Sequence, residues 1–320
     1  MEAQFGIVGS GLKPYSMPSP ESFRALAERA EDLGYDSIWI ADRIASGQGG
    51  MFLLEGMVTL AAFVGYTRRI TLGTSVLLLP LRHPALVAKQ VASLDYLSGG
   101  RLITAVGIGE NPKDYEAVQV PYRERGARVD EAIAVLRRLW DEGPASFEGR
   151  FFRFEDVWIE PGPIQAGGPP IWVGGASEAA LRRAGRLGDG WIGYMLTTER
   201  YEHSLGVIRD HAREAGRDPD AFTPGLMLPI HTDPDGDRAR RDVHERLTVL
   251  ANRYKGHATA DFLAREVCAV GTPEECVDKL KAFEEAGVRS FVLNPIVPSS
   301  DPVSDCERLF EEVVSVARSS

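Results

Sequence analysis

Cysteine is scarce in this chain. Only Cys268, Cys276 and Cys306 occur among 320 residues, and no two of them form a CxxC. That excludes a disulfide framework or a zinc site as the organising feature and suits a reducing compartment. Long apolar runs are missing too: no stretch approaches the roughly 18 uninterrupted apolar residues of a membrane helix. The opening Met1-Glu2-Ala3-Gln4-Phe5 has no basic segment followed by an apolar one. A cytoplasmic location without membrane association is therefore expected. Positive charge is in deficit, since 36 Lys+Arg against 46 Asp+Glu leave a formal net charge of −10. Nucleic acid, which needs a basic footprint, is not an expected partner. A small-molecule partner, even an anionic one, remains open, because one amide-lined pocket can hold it. The six histidines form no HExxH, so no metal is expected, and GxSxG, P-loop and SxxK patterns are absent.

What is present is an alternation of short apolar runs with amphipathic stretches. Phe5–Val8, Ser37–Ala41, Ile70–Leu79, Leu102–Gly107, Ile171–Gly174, Gly190–Tyr194, Pro224–His231 and Ser290–Leu293 read as strands. They are continuous rather than alternating in polarity, as parallel strands covered on both faces must be. Helical sequence follows each one. Pro20–Gly34 is a clear case, with Phe23, Leu26, Ala27 and Ala30 on one face, Ser19 as N-cap and Gly34 as terminator. Eight such units predict a (β/α)8 TIM barrel in one domain over 1–320. The competing doubly wound sheet would carry a glycine-rich phosphate turn after its first strand. Here that turn, Gly9-Ser10-Gly11-Leu12-Lys13-Pro14, lacks the third glycine. Two insertions interrupt the pattern: 145–168, read as a hairpin and ordered loop, and 233–266, read as mostly helical and covering either the barrel mouth or a subunit contact.

Catalytic groups of such a barrel sit where strands end, on the carboxyl face. Strand two ends in Asp42-Arg43, either a site pair or a rim salt bridge. Gly73 lies inside strand three, where a glycine marks a ligand approach or a packing kink. Strand four ends Gly107-Ile108-Gly109-Glu110, and the two glycines would clear a partly enclosed pocket around Glu110, a candidate acid or base. Strand five runs through Gly174, Gly175, Ala176 and Ser177 into a helix, an arrangement suited to a phosphate or carboxylate. Ser177 is also an ordinary N-cap residue. His83, Trp39, Trp172 and Trp191 read as structural, and Met195 and Met227 as core or pocket lining.

Taken in order, Leu33-Gly34-Tyr35-Asp36-Ser37-Ile38-Trp39, Leu72-Gly73-Thr74-Ser75-Val76, Arg82-His83-Pro84 and Leu97-Ser98-Gly99-Gly100-Arg101 resemble the bacterial luciferase-like superfamily. Glu124-Arg125-Gly126-Ala127-Arg128, Pro170-Ile171-Trp172-Val173-Gly174-Gly175, Leu187-Gly188-Asp189-Gly190-Trp191 and Gly271-Thr272-Pro273-Glu274 continue the match. Within that superfamily the chain is most similar to the group that uses the deazaflavin coenzyme F-420. The resemblance implies flavin or deazaflavin at the carboxyl end, a cis peptide at Ser75–Val76 against its ring, and its phosphate on Gly174, Gly175, Ala176 and Ser177. It also implies Glu110 as acid/base carboxylate, with Gly107 and Gly109 beside the cofactor, and a homodimer. Deazaflavin dehydrogenases of the group often carry Asp-His where this chain has Asp42-Arg43. That departure leaves room for ene or imine reduction, with Arg43 orienting an anionic group. The function implied is hydride transfer between F-420 and a small organic substrate. The alternatives are an FMN-dependent monooxygenase served by a flavin reductase, or a non-catalytic flavin-binding protein.

Overall fold

The computed structural model describes residues 1–9, 19–44, 53–253, 258–297 and 301–320. Eight parallel strands close on themselves: β1 (Gln4–Val8), β2 (Ser37–Ile40), β3 (Thr71–Thr74), β5 (Leu102–Gly107), β8 (Ile171–Gly174), β9 (Gly190–Tyr194), β10 (Thr223–Thr232) and β12 (Ser290–Pro295). Closure comes from β12 pairing with β1 through Gln4↔Ser290 to Ile7↔Leu293 and with β10 through Gly225↔Ser290 to Ile230↔Pro295. The strands are those read from the sequence, and the closed order excludes the open sheet. Two short strands extend the sheet: β4 (Leu77–Leu78) pairs with β5, and β11 (Ala269–Gly271) with β10. The run expected as one strand over Ile70–Leu79 is therefore divided. β3 stops at Thr74, the Ser75–Val76 peptide is cis, and pairing resumes at Leu77.

The helices form where caps and apolar spacing direct them. Ser19 accepts from Ser22 N, Pro20 opens the first helix, and Gly34 ends it at φ 94°. Left-handed φ of that kind is the ordinary C-terminal role of glycine. The helix Pro273–Glu285 starts with a reciprocal capping box between Thr272 and Glu275. Pro84–Ser98, Glu178–Leu187 and Thr198–Glu214 follow their strands, in keeping with the alternation. The final helix runs from Pro302 to Ser319 through one π turn at Phe310–Val314. A helix over Pro112–Ala117 was not anticipated. Its six residues are too few to show an amphipathic period.

The 145–168 insertion is a hairpin, β6 (Ala145–Glu148) with β7 (Arg153–Val157), plus an ordered loop. Glu131, on the helix Arg125–Trp140, gathers the backbone N–H groups of Arg150, Phe151 and Phe152 and so fixes the hairpin turn. In the 233–266 insertion the helix Gly236–Arg253 lies over the carboxyl end of the barrel. It buries Ala239, Val243 and Leu247 in a small core with Leu263, Val267, Cys268 and Ile296. The mouth-covering option holds for this helix.

The barrel interior is filled by two indoles. Trp39 and Trp172 face each other at 5.1 Å between ring centroids, with Val8, Ala105, Ile192 and Val292 around them. Their volume is admitted by glycines on neighbouring strands. A Cβ on Gly73 would lie 2.3 Å from Trp39, one on Gly190 2.6 Å from Trp172, and one on Gly225 2.8 Å from Trp172. Gly73 is thus a packing position, and the ligand-approach option does not apply to it. Among the described residues no helix is long and apolar enough to cross a membrane.

Candidate active site

The cis Ser75–Val76 segment stands at the carboxyl end of the barrel, between β3 and β4. Val76 rests on two neighbours without side chains. A Cβ on Gly107 would meet it at 2.5 Å and one on Gly174 at 2.7 Å. Gly109, at φ 65°, makes room in the same way for Leu78. Gly107 and Gly109 thus do not clear a pocket around Glu110, as the sequence suggested. They seat the segment that follows β3. Spacing cannot reveal this, because the partners are 31 or more residues away in the chain.

Asp42 and Arg43 do not pair with each other. The Asp42 carboxylate is buried. It accepts from Leu78 N at 3.0 Å and Gly56 N at 3.3 Å, and it meets both terminal nitrogens of Arg82 at 2.9 Å. Arg82 also reaches Glu55 at 2.5 Å. Burial opposes ionisation of Glu55, but the Val58 N–H and the Arg82 guanidinium prevail and hold its carboxyl below the usual range. Asp42 therefore ties the end of β2 to β4 and to the helix Gly56–Tyr66. Arg43 turns the other way and pairs with the buried Asp114 at 3.8 Å. The Asp42-Arg43 pair, read as a site pair or a rim salt bridge, is thus not formed: Asp42 is held by Arg82 and Arg43 by Asp114.

Glu110 is exposed. Its loop is braced by two tyrosines. Tyr122 Oη donates to Glu110 O at 3.0 Å, and Tyr115 Oη donates to Ile108 O. The next helix takes its cap from Asn111, whose side chain accepts from Lys113 N, so Glu110 is not a capping residue. The enclosed environment expected for it is not present among the described residues.

The loop after β8 is laid out as read. Gly175 has φ 105°, its carbonyl accepts from Trp191 Nε1 at 2.7 Å, and Ser177 caps the helix Glu178–Leu187 through Ala180 N at 3.3 Å. Gly175, Ser177, Glu178 and Ala179 are exposed, so the loop and the start of the helix lie at the surface. His83 is structural: it caps the helix Pro84–Ser98 through Ala85 N and meets Phe152 edge-on at 5.4 Å. Cys268, Cys276 and Cys306 are buried and free, each thiol pushed up to about 12 by burial. Ser10 to Pro14 of the turn after β1, and His257, lie outside the described residues.

Inside the mouth lies a cavity of about 170 Å³, bounded by Val8, Ala41, Ser75, Tyr194, Met227, Pro229, Asn294, Pro295 and Ile296 from strand ends, and by Arg246 and Leu250 from the covering helix. Two buried polar atoms of its wall, Ser75 Oγ and Asn294 Oδ1, have no hydrogen-bond partner. Buried polar groups are otherwise nearly always paired. Their position in a cavity wall is that of groups awaiting a ligand, and this donor and acceptor pair fits a polar heteroaromatic or organic molecule. Arg246 and Asn294 were missed by sequence reading, since their elements carry no motif at those positions.

A closed parallel barrel with a cavity and a glycine-rich loop at its carboxyl end defines a TIM barrel whose candidate site lies on that face. The chain belongs to the luciferase-like monooxygenase family, whose model matches residues 4–290. It is 29% identical over 299 residues to an F-420-dependent glucose-6-phosphate dehydrogenase of Nakamurella multipartita, with 86% of each chain covered. It is 27% identical over 287 residues to the 4-hydroxyprotoasukamycin monooxygenase of Streptomyces nodosus subsp. asukaensis, covering 82% of this chain and 76% of that one. Among solved structures, an F-420-dependent secondary alcohol dehydrogenase in complex with an F-420–acetone adduct matches with a TM-score of 0.85 at 22% identity, 99% of each chain being covered. That last likeness supports the fold.

Proposed function

We infer that the protein transfers hydride between the deazaflavin coenzyme F-420 and a small organic substrate bound at the barrel mouth. The observation that carries this reading is the carboxyl-end cavity with its two unpartnered buried polar atoms. The likeness to an F-420-dependent dehydrogenase over 86% of both chains supports the choice of coenzyme. When bound, the deazaflavin supplies or accepts the hydride. The chain's own part is to orient, to exclude water and to move a proton.

In this reading the first-turn N–H groups after Gly175, together with Ser177, hold the coenzyme phosphate. Val76, seated on Gly107 and Gly174, presents an apolar surface for the ring, and Ser75 Oγ a polar edge. Asp42 acts as a positioning residue, because its carboxylate holds Leu78 N and Arg82 and so sets the segment that carries Val76. Arg43, anchored on Asp114, holds the β2 end against the helix that follows Glu110. Glu110, at the rim, exchanges the proton with solvent on one side and the mouth on the other. The covering helix Gly236–Arg253 keeps water from the reacting atoms.

The experiment is equilibrium titration of the purified protein with oxidised F-420 and oxidised FMN, followed by fluorescence. Micromolar or tighter binding of F-420 with weak binding of FMN is expected. The reverse preference would support the second reading, an FMN-dependent monooxygenase with a flavin reductase partner, which the likeness to the Streptomyces nodosus enzyme favours. Sedimentation at equilibrium tests the homodimer.

A further inference from the structure

The mouth cavity is asymmetric in chemistry. Its carbon wall comes from Val8, Met227, Pro229, Leu250 and Ile296, and its charge comes from Arg246. Ser75 and Asn294, only 8% and 9% exposed, stand in its wall, and Ser75 Oγ and Asn294 Oδ1 have no hydrogen-bond partner. A chain of net charge −10 has placed an arginine, on an inserted helix, over a largely apolar chamber. The cavity's 170 Å³ is close to the roughly 150 Å³ that holds a benzene-sized molecule.

We propose that this chamber selects a compact organic anion as substrate, with Arg246 binding its carboxylate or comparable anionic group. The skeleton lies on Met227, Leu250 and Ile296. Asn294 Oδ1 accepts from a hydroxyl or amine of the bound molecule, and Ser75 Oγ donates or accepts beside it. Arg246 is suited to this because a guanidinium offers several donors in a fixed plane and stays charged at any working pH. Its position on the covering helix adds a consequence. Anion binding joins that helix to the strand ends and so closes the chamber. The inference rests on the reading of the barrel mouth as the reaction site, and it adds the substrate's charge and size. It does not depend on which coenzyme is used.

The test is isothermal titration of the full chain, without coenzyme, with benzoate and with nitrobenzene, its neutral isostere. Benzoate is expected to bind about tenfold or more tightly than nitrobenzene. Arg246→Gln should remove that preference, Arg246→Lys should restore part of it, and Arg241→Gln, a change at an exposed arginine of the same helix, should leave it intact. Equal binding of the two probes by the unaltered protein, or absence of benzoate binding, would overturn the proposal even if Arg246→Gln failed to fold. A retained preference in folded Arg246→Gln would overturn it as well. The F-420 titration described above fails or succeeds separately. A benzoate preference without F-420 binding would leave this inference standing and remove the coenzyme assignment.

Discussion

The middle and the mouth of the barrel both use glycine to admit a larger neighbour, yet one is solid and the other keeps a cavity. In the middle, Gly73, Gly190 and Gly225 give their space to Trp39 and Trp172, and the interior is solid. At the mouth, Gly107 and Gly174 give theirs to Val76, which packs down against the same indole cluster. A cavity remains there, with buried oxygens left unpaired. The same residue type therefore seats a larger neighbour in both layers, and the cavity lies beside the seated segment, against Ser75 and the strand ends. Rigidity below supports a site above, because the strand ends that bear Ser75, Tyr194 and Asn294 stand on a packed layer that cannot shift by even a methyl group without loss.

Substitutions can break this division of labour. The largest effect is expected where the two layers are tied together. Arg82→Met should lower stability by about 3 kcal/mol or more, since it strands the buried Asp42 carboxylate. Urea denaturation measures this, and an unchanged midpoint would show that the pair contributes nothing to the tie. Glu110→Gln, at the exposed rim, should do the reverse: turnover falls roughly 100-fold, while the melting temperature and coenzyme affinity stay as they were. Normal turnover would remove Glu110 from the reaction. Gly73→Ala tests the solid layer alone. With the new methyl 2.3 Å from Trp39, a loss of about 2 kcal/mol is expected, with no direct effect on coenzyme affinity. Ser177→Ala should weaken the helix start by about 1 kcal/mol and also weaken coenzyme binding. Loss of stability alone would leave Ser177 as a cap and nothing more.

The smallest effect concerns the seam between the covering helix and the barrel. Burial lowers the pKa of His231 on β10, against the raising influence of Asp242 on the covering helix and with help from Arg308. The folded protein therefore binds this proton less readily than the unfolded chain. Stability from this group is complete above the ordinary imidazole value near 6.5 and declines as pH falls below it. Denaturation at pH 7.0 and 5.5 should show a decline that His231→Gln reduces. An identical decline in both proteins would assign the pH dependence to other groups.

Part of the site could be read from local sequence. The Ser177 cap and the turn at Gly175 are short-range patterns with short-range causes. Asp42-Arg43 misled for the same reason: neighbours in sequence look like partners, yet each side chain takes its counterion from another element, 40 residues away for Asp42 and 71 for Arg43. Glu110 was correctly placed just after a strand end, but the bracing of its loop by Tyr115, from a helix too short to leave a periodic signal, and by Tyr122, from the turn beyond it, was not legible.

By itself the sequence determined the eight strands, the helices between them, the order in which they close, and the family to which the chain belongs. These rest on patterns within 5 to 20 residues: continuous apolar runs, 3.6-residue periodicity and caps. Only the tertiary structure decided which glycine faces an indole and which faces Val76, and that Asp42 is held by Arg82. It alone brought Arg246 and Asn294 to one cavity. Those outcomes follow from side chains meeting across the barrel, and no local pattern encodes the volume left over when two distant strands come together.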